Sequence, residues 1–126
     1  CNSVRKTRFA GFTPTTTNGN VNGRPKMHAM CATAFAGSHL CHSAEYIRAT
    51  SATTIPASGA WIDPSATPST SVTNLAHPSS GRYIYGYACS HWSDAGASKY
   101  GTYIATSGNI LDDSGCNVSR SVACCY

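Results

Sequence analysis

An α+β fold, stapled by disulfides and suited to an oxidising compartment, is what this sequence predicts, on three observations. Seven of its 126 residues are cysteine, ending in the vicinal pair Cys124 and Cys125, a density that belongs to extracellular chains. Two helical patterns precede most of the strand patterns instead of alternating with them, which argues for segregated layers. Only 11% of residues are charged, against 41% hydrophobic and many small Ser, Thr, Ala and Gly positions, a composition that fits a loop-rich secreted domain. One domain is expected over residues 1–126. A chain of this length buries roughly two thirds of the surface it exposes unfolded, so bridges reinforce a core rather than replace one, and no metal is required.

Residues 8–13 (RFAGFT) read as an opening strand, followed by a turn-forming stretch over 14–23 rich in Thr, Asn and Gly. Gly23 and Pro25 then open a helix in which Met27, Met30, Cys31, Ala34 and Phe35 recur at helical spacing, and Gly37 closes it. Cys31 is thereby expected on the core face. After an extended piece at 38–41, residues 43–50 (SAEYIRAT) form a second helix, capped by Ser43 or His42 with Glu45 in its first turn. From 51 to 80 Ser, Thr, Pro and Ala dominate, which predicts long loops around one short strand at 60–63 (AWID). Strands are expected at 82–88, 101–106 and 119–126, and Asp112 with Asp113 reads as a turn.

Lys and Arg outnumber Asp and Glu by nine to five, for a net charge of +4. The one local cluster is Arg5, Lys6 and Arg8; a scattered excess of this size is a solvated surface and argues against nucleic acid, leaving an acidic polysaccharide as the polyanion to consider. No apolar run approaches the ~20 residues of a membrane span. A chain beginning at Cys1 reads as a cleaved terminus in preference to a lipidated one, since residues 4–12 already alternate like a strand where a lipid tether would be flexible.

Catalytic signatures are lacking: there is no G-x-S-x-G elbow and no H-E-x-x-H pair, and the five carboxylates offer no convincing acid and base. His39, Cys41 and His42 have the residue types of a metal cluster or an activated thiol, but a cysteine in an oxidising compartment is a disulfide half, so neither a cofactor nor a metal is expected. Arg82, Tyr83, Tyr85, Trp92 and Tyr100 are the planar and donor groups that would stack on or hydrogen-bond a sugar or peptide. Alternation in RYIYGY puts Tyr83, Tyr85 and Tyr87 on one sheet face, which also suits a core or a subunit contact. Seven cysteines leave one unpaired, and Cys1 is the natural candidate for an intermolecular bond or a modification.

The pattern Cys89-Ser-His-Trp92, then Gly101, Cys116 and SVACCY, resembles the C-terminal part of endostatin-like domains on the C-type lectin-like fold. RFAGFT, NGRPKMHAMCATAFAGSHLCHSAEY and AWID are similar to secreted bacterial domains of the myxobacterial type, whose function is undefined. The resemblance spans nearly the whole chain. It implies two helices packed on a small, mostly antiparallel twisted sheet with long loops. It also implies nested bridges, Cys89 with Cys116, Cys31 with Cys124 or Cys125, and Cys41 with the other member of that pair. His42 departs from the pattern, which commonly has a capping Thr there. Sugar-binding members coordinate calcium through a loop tripeptide and a Trp-Asn-Asp. Here only Trp92-Ser93-Asp94 resembles any of that, and the acids are too few for a calcium cage.

The expected function is therefore a secreted or cell-surface recognition module for carbohydrate or protein, non-catalytic and calcium-independent, without a membrane span. The alternative is a structural subunit of an extracellular filament or coat, assembled through Cys1 and aromatic surface.

Overall fold

A computed structural model of the chain describes residues 8–49, 53–64, 73–76, 83–86 and 88–126, with the backbone alone at 73–76, 83–86 and 112–113. In chain order the regular elements are β1 (Phe9–Phe12), α1 (Arg24–Ala34), β2 (His39–Leu40), α2 (Ser43–Arg48), β3 (Ala60–Trp61), β4 (Thr73–Ala76), β5 (Tyr83–Gly86), β6 (Tyr100–Ile104), β7 (Ile110–Gly115) and β8 (Ser121–Cys125). A tight turn over Cys89–Trp92 lies between β5 and β6.

Strand β8 is the axis of the architecture, and all five of its residues, SVACC, are buried. A strand of that composition must have both faces covered. On one edge β1 runs antiparallel, with Phe9 opposite Cys125 and Phe12 opposite Ala123. The other edge is shared: β3 lies parallel beside Ser121 and Val122, and β2 lies antiparallel beside Cys124 and Cys125. Beyond β3 the sheet continues antiparallel through β6 to β7. The sheet is therefore mixed, with one parallel pair. A separate two-stranded ladder joins β4 and β5.

Alternation along β8 divides the core in two. Val122 and Cys124 face a cluster with Met27, Cys31, Leu40, Trp61 and Trp92, while Ala123 and Cys125 face a second with Phe9, Cys41, Ile62 and Ile104. The vicinal cysteines thus point to opposite faces, and each staples a different element to the same strand. Cys124 binds Cys31 of α1 and Cys125 binds Cys41 at the end of β2, with Cα separations of 5.4 and 5.0 Å. Cys89 binds Cys116 with a Cα separation of 5.8 Å. Cys1 lies outside the described residues.

Helix α1 starts where Gly23 adopts φ 115° and a proline occupies the first turn. Met27 and Cys31, four residues apart, are its buried positions. Helix α2 carries a capping box built on His42: the Glu45 N–H donates to His42 Nδ1 at 3.4 Å, and the His42 N–H donates to Glu45 Oε1 at 3.1 Å. The imidazole acceptor thus does the work of the capping hydroxyl that the resemblance led one to expect.

Asp112 and Asp113 lie inside β7, and the turn is displaced to 105–109, where Gly108 has φ 91°. Their acidity reads as turn chemistry, but Gly108 supplies the positive φ that a hairpin needs. Strand β4 falls within the stretch read as loop. The Cys89–Trp92 turn departs furthest from expectation, with φ of 48°, 53°, 62° and 62° at four successive non-glycine residues.

Candidate functional site

The loop preceding α1 is held as firmly as a strand. Thr17 exchanges backbone bonds with Arg120 (N···O 2.8 and 2.9 Å), the Gly19 N–H donates to Cys116 O at 2.8 Å, and the Val21 and Gly23 N–H groups both donate to Trp92 O at 3.0 Å. Trp61 Nε1–H adds a bond to Thr17 O at 2.7 Å. Two asparagine side chains close local turns, Asn18 accepting from the Asn20 N–H and Asn20 from the Asn22 N–H.

Between this loop and α1 lies a groove of about 630 Å³. Helical spacing explains it: Met27 and Cys31 go to the core, while Lys26, Ala29, Met30, Thr33 and Ala34 form the adjoining stripe that walls the groove. Pro14, Thr15, Val21 and Asn22 form the facing side. The lining is mostly apolar, with one ammonium and a few hydroxyl and amide groups. That is the make-up of preformed ligand clefts of this size. No lining residue carries an aromatic ring or an acid.

A second constellation lies at the start of α1. Asp63 receives Arg24 Nε on Oδ2 at 2.7 Å and Arg24 Nη2 on Oδ1 at 2.7 Å, and Trp92 Nε1–H donates to Oδ1 at 3.0 Å. Arg24 Nη1 also reaches His91 Nδ1 at 3.0 Å. Asp63 therefore joins the first turn of α1 to the left-handed turn, with both of its oxygens accepting hydrogen bonds. Trp92 packs edge-on against Trp61 with ring centroids 5.5 Å apart.

A third group clusters where α1, β2 and α2 meet. Glu45 accepts from His39 Nε2 at 2.8 Å and lies 3.5 Å from His42 Nε2. His28 on α1 accepts the Leu40 N–H on Nδ1 at 3.1 Å, and its ring sits 6.1 Å from that of His39. Burial, and then a charge on His39, pushes His28 below its ordinary value of 6.5. His39 and His42 are partly exposed and Cys41 is a disulfide half, as the residues led one to expect. Among the described residues no three His, Cys, Asp or Glu side chains are arranged to hold a metal.

Of the residues expected to bind ligand, Trp92 and Tyr100 are the two whose side chains are described. Trp92 is 0% exposed and offers no face to a sugar, which removes it from the candidate set. Its indole is spent on Trp61 and Asp63. Tyr100 is 41% exposed at the start of β6 and is absent from the groove lining. Tyr83 and Tyr85 lie on β5, opposite Ala76 and Asn74. Arg82 and Tyr87 lie outside the described residues. The groove was missed because its two walls were read separately, as a turn-forming stretch and a helix; the signal was the second small-residue stripe Ala29, Thr33 on α1. Comparison of the chain with protein-family models, with curated proteins and with solved structures returns no match.

Proposed function

We propose that the chain is a secreted or cell-surface recognition module of C-type lectin-like architecture, non-catalytic and calcium-independent, which binds a protein or carbohydrate in the groove between α1 and the loop at 14–22. The groove is the observation that carries this reading, because it is preformed and bounded by segments tied to the disulfide core. A preformed cleft binds without the ordering cost that a mobile surface incurs. Three disulfides support an oxidising setting. The order of strand, two helices and terminal strands, with α1 bridged to the last strand, supports the architectural likeness.

Between the two ligand classes the lining favours protein. A sugar face is gripped by aromatic platforms and by dense hydrogen-bonding groups, whereas Val21, Ala29, Met30 and Ala34 suit an aliphatic side chain of a peptide. The test is an amide-shift titration of isotope-labelled protein with a peptide panel and a glycan panel, each repeated in EDTA. Peptides bearing aliphatic side chains are expected to move Val21, Lys26, Met30 and Thr33 in both media, and Met30→Asp is expected to abolish the response. Absence of groove shifts with every ligand, or their loss in EDTA, would refute the reading.

A further inference from the structure

Beside Lys26 and Met30, yet on a different side of α1, stands His28, since residues two apart on a helix do not share a face. Its Nδ1 accepts the Leu40 N–H at 3.1 Å. A ring that accepts at Nδ1 is neutral and carries its proton on Nε2. Leu40 is buried and belongs to β2, which pairs with Cys124 and Cys125 of β8. One imidazole lone pair therefore ties the groove-bearing helix to the strand beside it.

The geometry points to an acid-sensitive latch: neutral His28 holds α1 to β2 through the Leu40 amide, and protonation at Nδ1 replaces the acceptor with a second donor and releases that corner. The proton comes from solvent, and nothing else is consumed. The charged groups that face His28 come from four elements. His39 on β2 and Arg24 on α1 oppose a positive charge there, while Glu45 on α2 and Asp63 after β3 favour one. Both carboxylates are already committed, Glu45 to His39 and Asp63 to Arg24. Burial is the largest influence and also disfavours the charge. The closed ring is thus less basic than the open one. The latch is fully effective above the ordinary value of 6.5 and weakens as pH falls below it.

Release stays local. The connection from α1 to α2 is pinned at Cys31 and at Cys41 by bridges to β8, so the segment between them loosens while both ends stay in place. Its consequence for the groove, a weaker grip on ligand in acid, rests on the function proposed above; the latch itself does not.

The test is hydrogen exchange of the Leu40 amide in the intact chain from about pH 7.5 to about pH 4.5, corrected for intrinsic rates, with ring nitrogen signals of His28 read in parallel. At the upper end His28 is expected as the Nε2–H form. Leu40 protection is expected to fall by up to about tenfold per pH unit below 6.5, until the closed ring itself takes a proton, while the amides of β8 keep theirs. A flat Leu40 profile, or a neutral ring protonated on Nδ1, overturns the proposal without need of any variant. His28→Asn places an oxygen acceptor where Nδ1 stood and cannot titrate, so its Leu40 profile is expected to be flat; a fall like that of the wild type overturns the proposal. His39→Gln is expected to retain the fall, and its disappearance would assign the response to His39. Peptide titration at both ends of the range reads the groove separately: peptides that bind at neither pH refute the function while leaving the exchange result standing.

Discussion

Replacing Ser90 by glycine is expected to stabilise the protein, although serine to glycine normally does the reverse. Ser90 has φ 53° and ψ 55°, the second of four successive residues in left-handed geometry. Each such residue costs roughly 1–2 kcal/mol when it carries a Cβ. Glycine removes that cost but gives the unfolded chain more freedom, which returns roughly 0.5–1 kcal/mol. The net gain is about 0.5–1 kcal/mol, or a rise of about 2–4 °C in Tm for a chain of this size. Ser90 is the right position because its neighbours are occupied: Cys89 is bridged, His91 meets Arg24 and Trp92 is buried, whereas Ser90 lends the fold its carbonyl, which accepts from Ser93 Oγ. Glycine keeps that carbonyl. The control is Ala32→Gly, at an exposed interior position of α1, expected to cost about 1 kcal/mol. Urea unfolding under non-reducing conditions, with unchanged slope, separates the two. If Ser90→Gly lowers the midpoint as Ala32→Gly does, the left-handed turn carries no such cost and the reasoning fails.

Gly101→Ala should destabilise by about 1–3 kcal/mol, because the new methyl would sit 2.7 Å from both Cys89 Sγ and Trp61 Cζ3 in a closed core; an unchanged urea midpoint would show that the site has slack. Asp63→Ala removes the acceptor of both the half-buried Arg24 guanidinium and the Trp92 indole N–H, and is expected to cost about 1–3 kcal/mol, measured the same way against Asp63→Glu. Stability should decline as pH falls below 6.5, because His28 is less basic folded than unfolded, and His28→Asn should reduce that slope by about 1 proton's worth at most; equal slopes for the two proteins would contradict the assignment.

Where the chain's local preferences agree with its tertiary environment, the sequence was readable. Met27 and Cys31 at helical spacing, Pro25 in the first turn and the apolar SVACC run place α1 and β8 without reference to anything distant. Adjacent cysteines on a strand must face opposite ways, and they do. The misreadings have a common cause in non-local control. Asp112 and Asp113 look like turn residues, yet they lie inside β7 at the irregularity between the paired Leu111 and Ser114. β4 is hidden in a Ser, Thr and Pro-rich tract because its signal is its partner β5, not its own composition. Nothing in CSHW announces left-handed backbone, a conformation that propensity reserves for glycine and asparagine. The groove needed two segments to be placed side by side, and Trp92, an inviting ligand platform by residue type, is withdrawn by the same packing that forms it.

The left-handed turn has a position that accounts for its persistence. The Trp92 carbonyl accepts from both Val21 and Gly23 at 3.0 Å, and the Trp92 indole donates to the carboxylate that holds Arg24. One residue therefore fixes the end of the groove loop and the start of α1 at once. A right-handed turn would point that carbonyl elsewhere and leave two loop N–H groups unpaired, each costing about 1–3 kcal/mol if buried. Strain at the turn is thus offset by order at the groove, provided the indole stays anchored. Trp92→Phe tests this coupling, since the ring remains able to pack on Trp61 while the bond to Asp63 is lost. The expected result is a loss of about 1–2 kcal/mol in stability together with faster exchange of the Val21 and Gly23 amides. Should those two amides keep full protection while stability falls, the turn is held by packing alone and its anchoring of the groove is disproved.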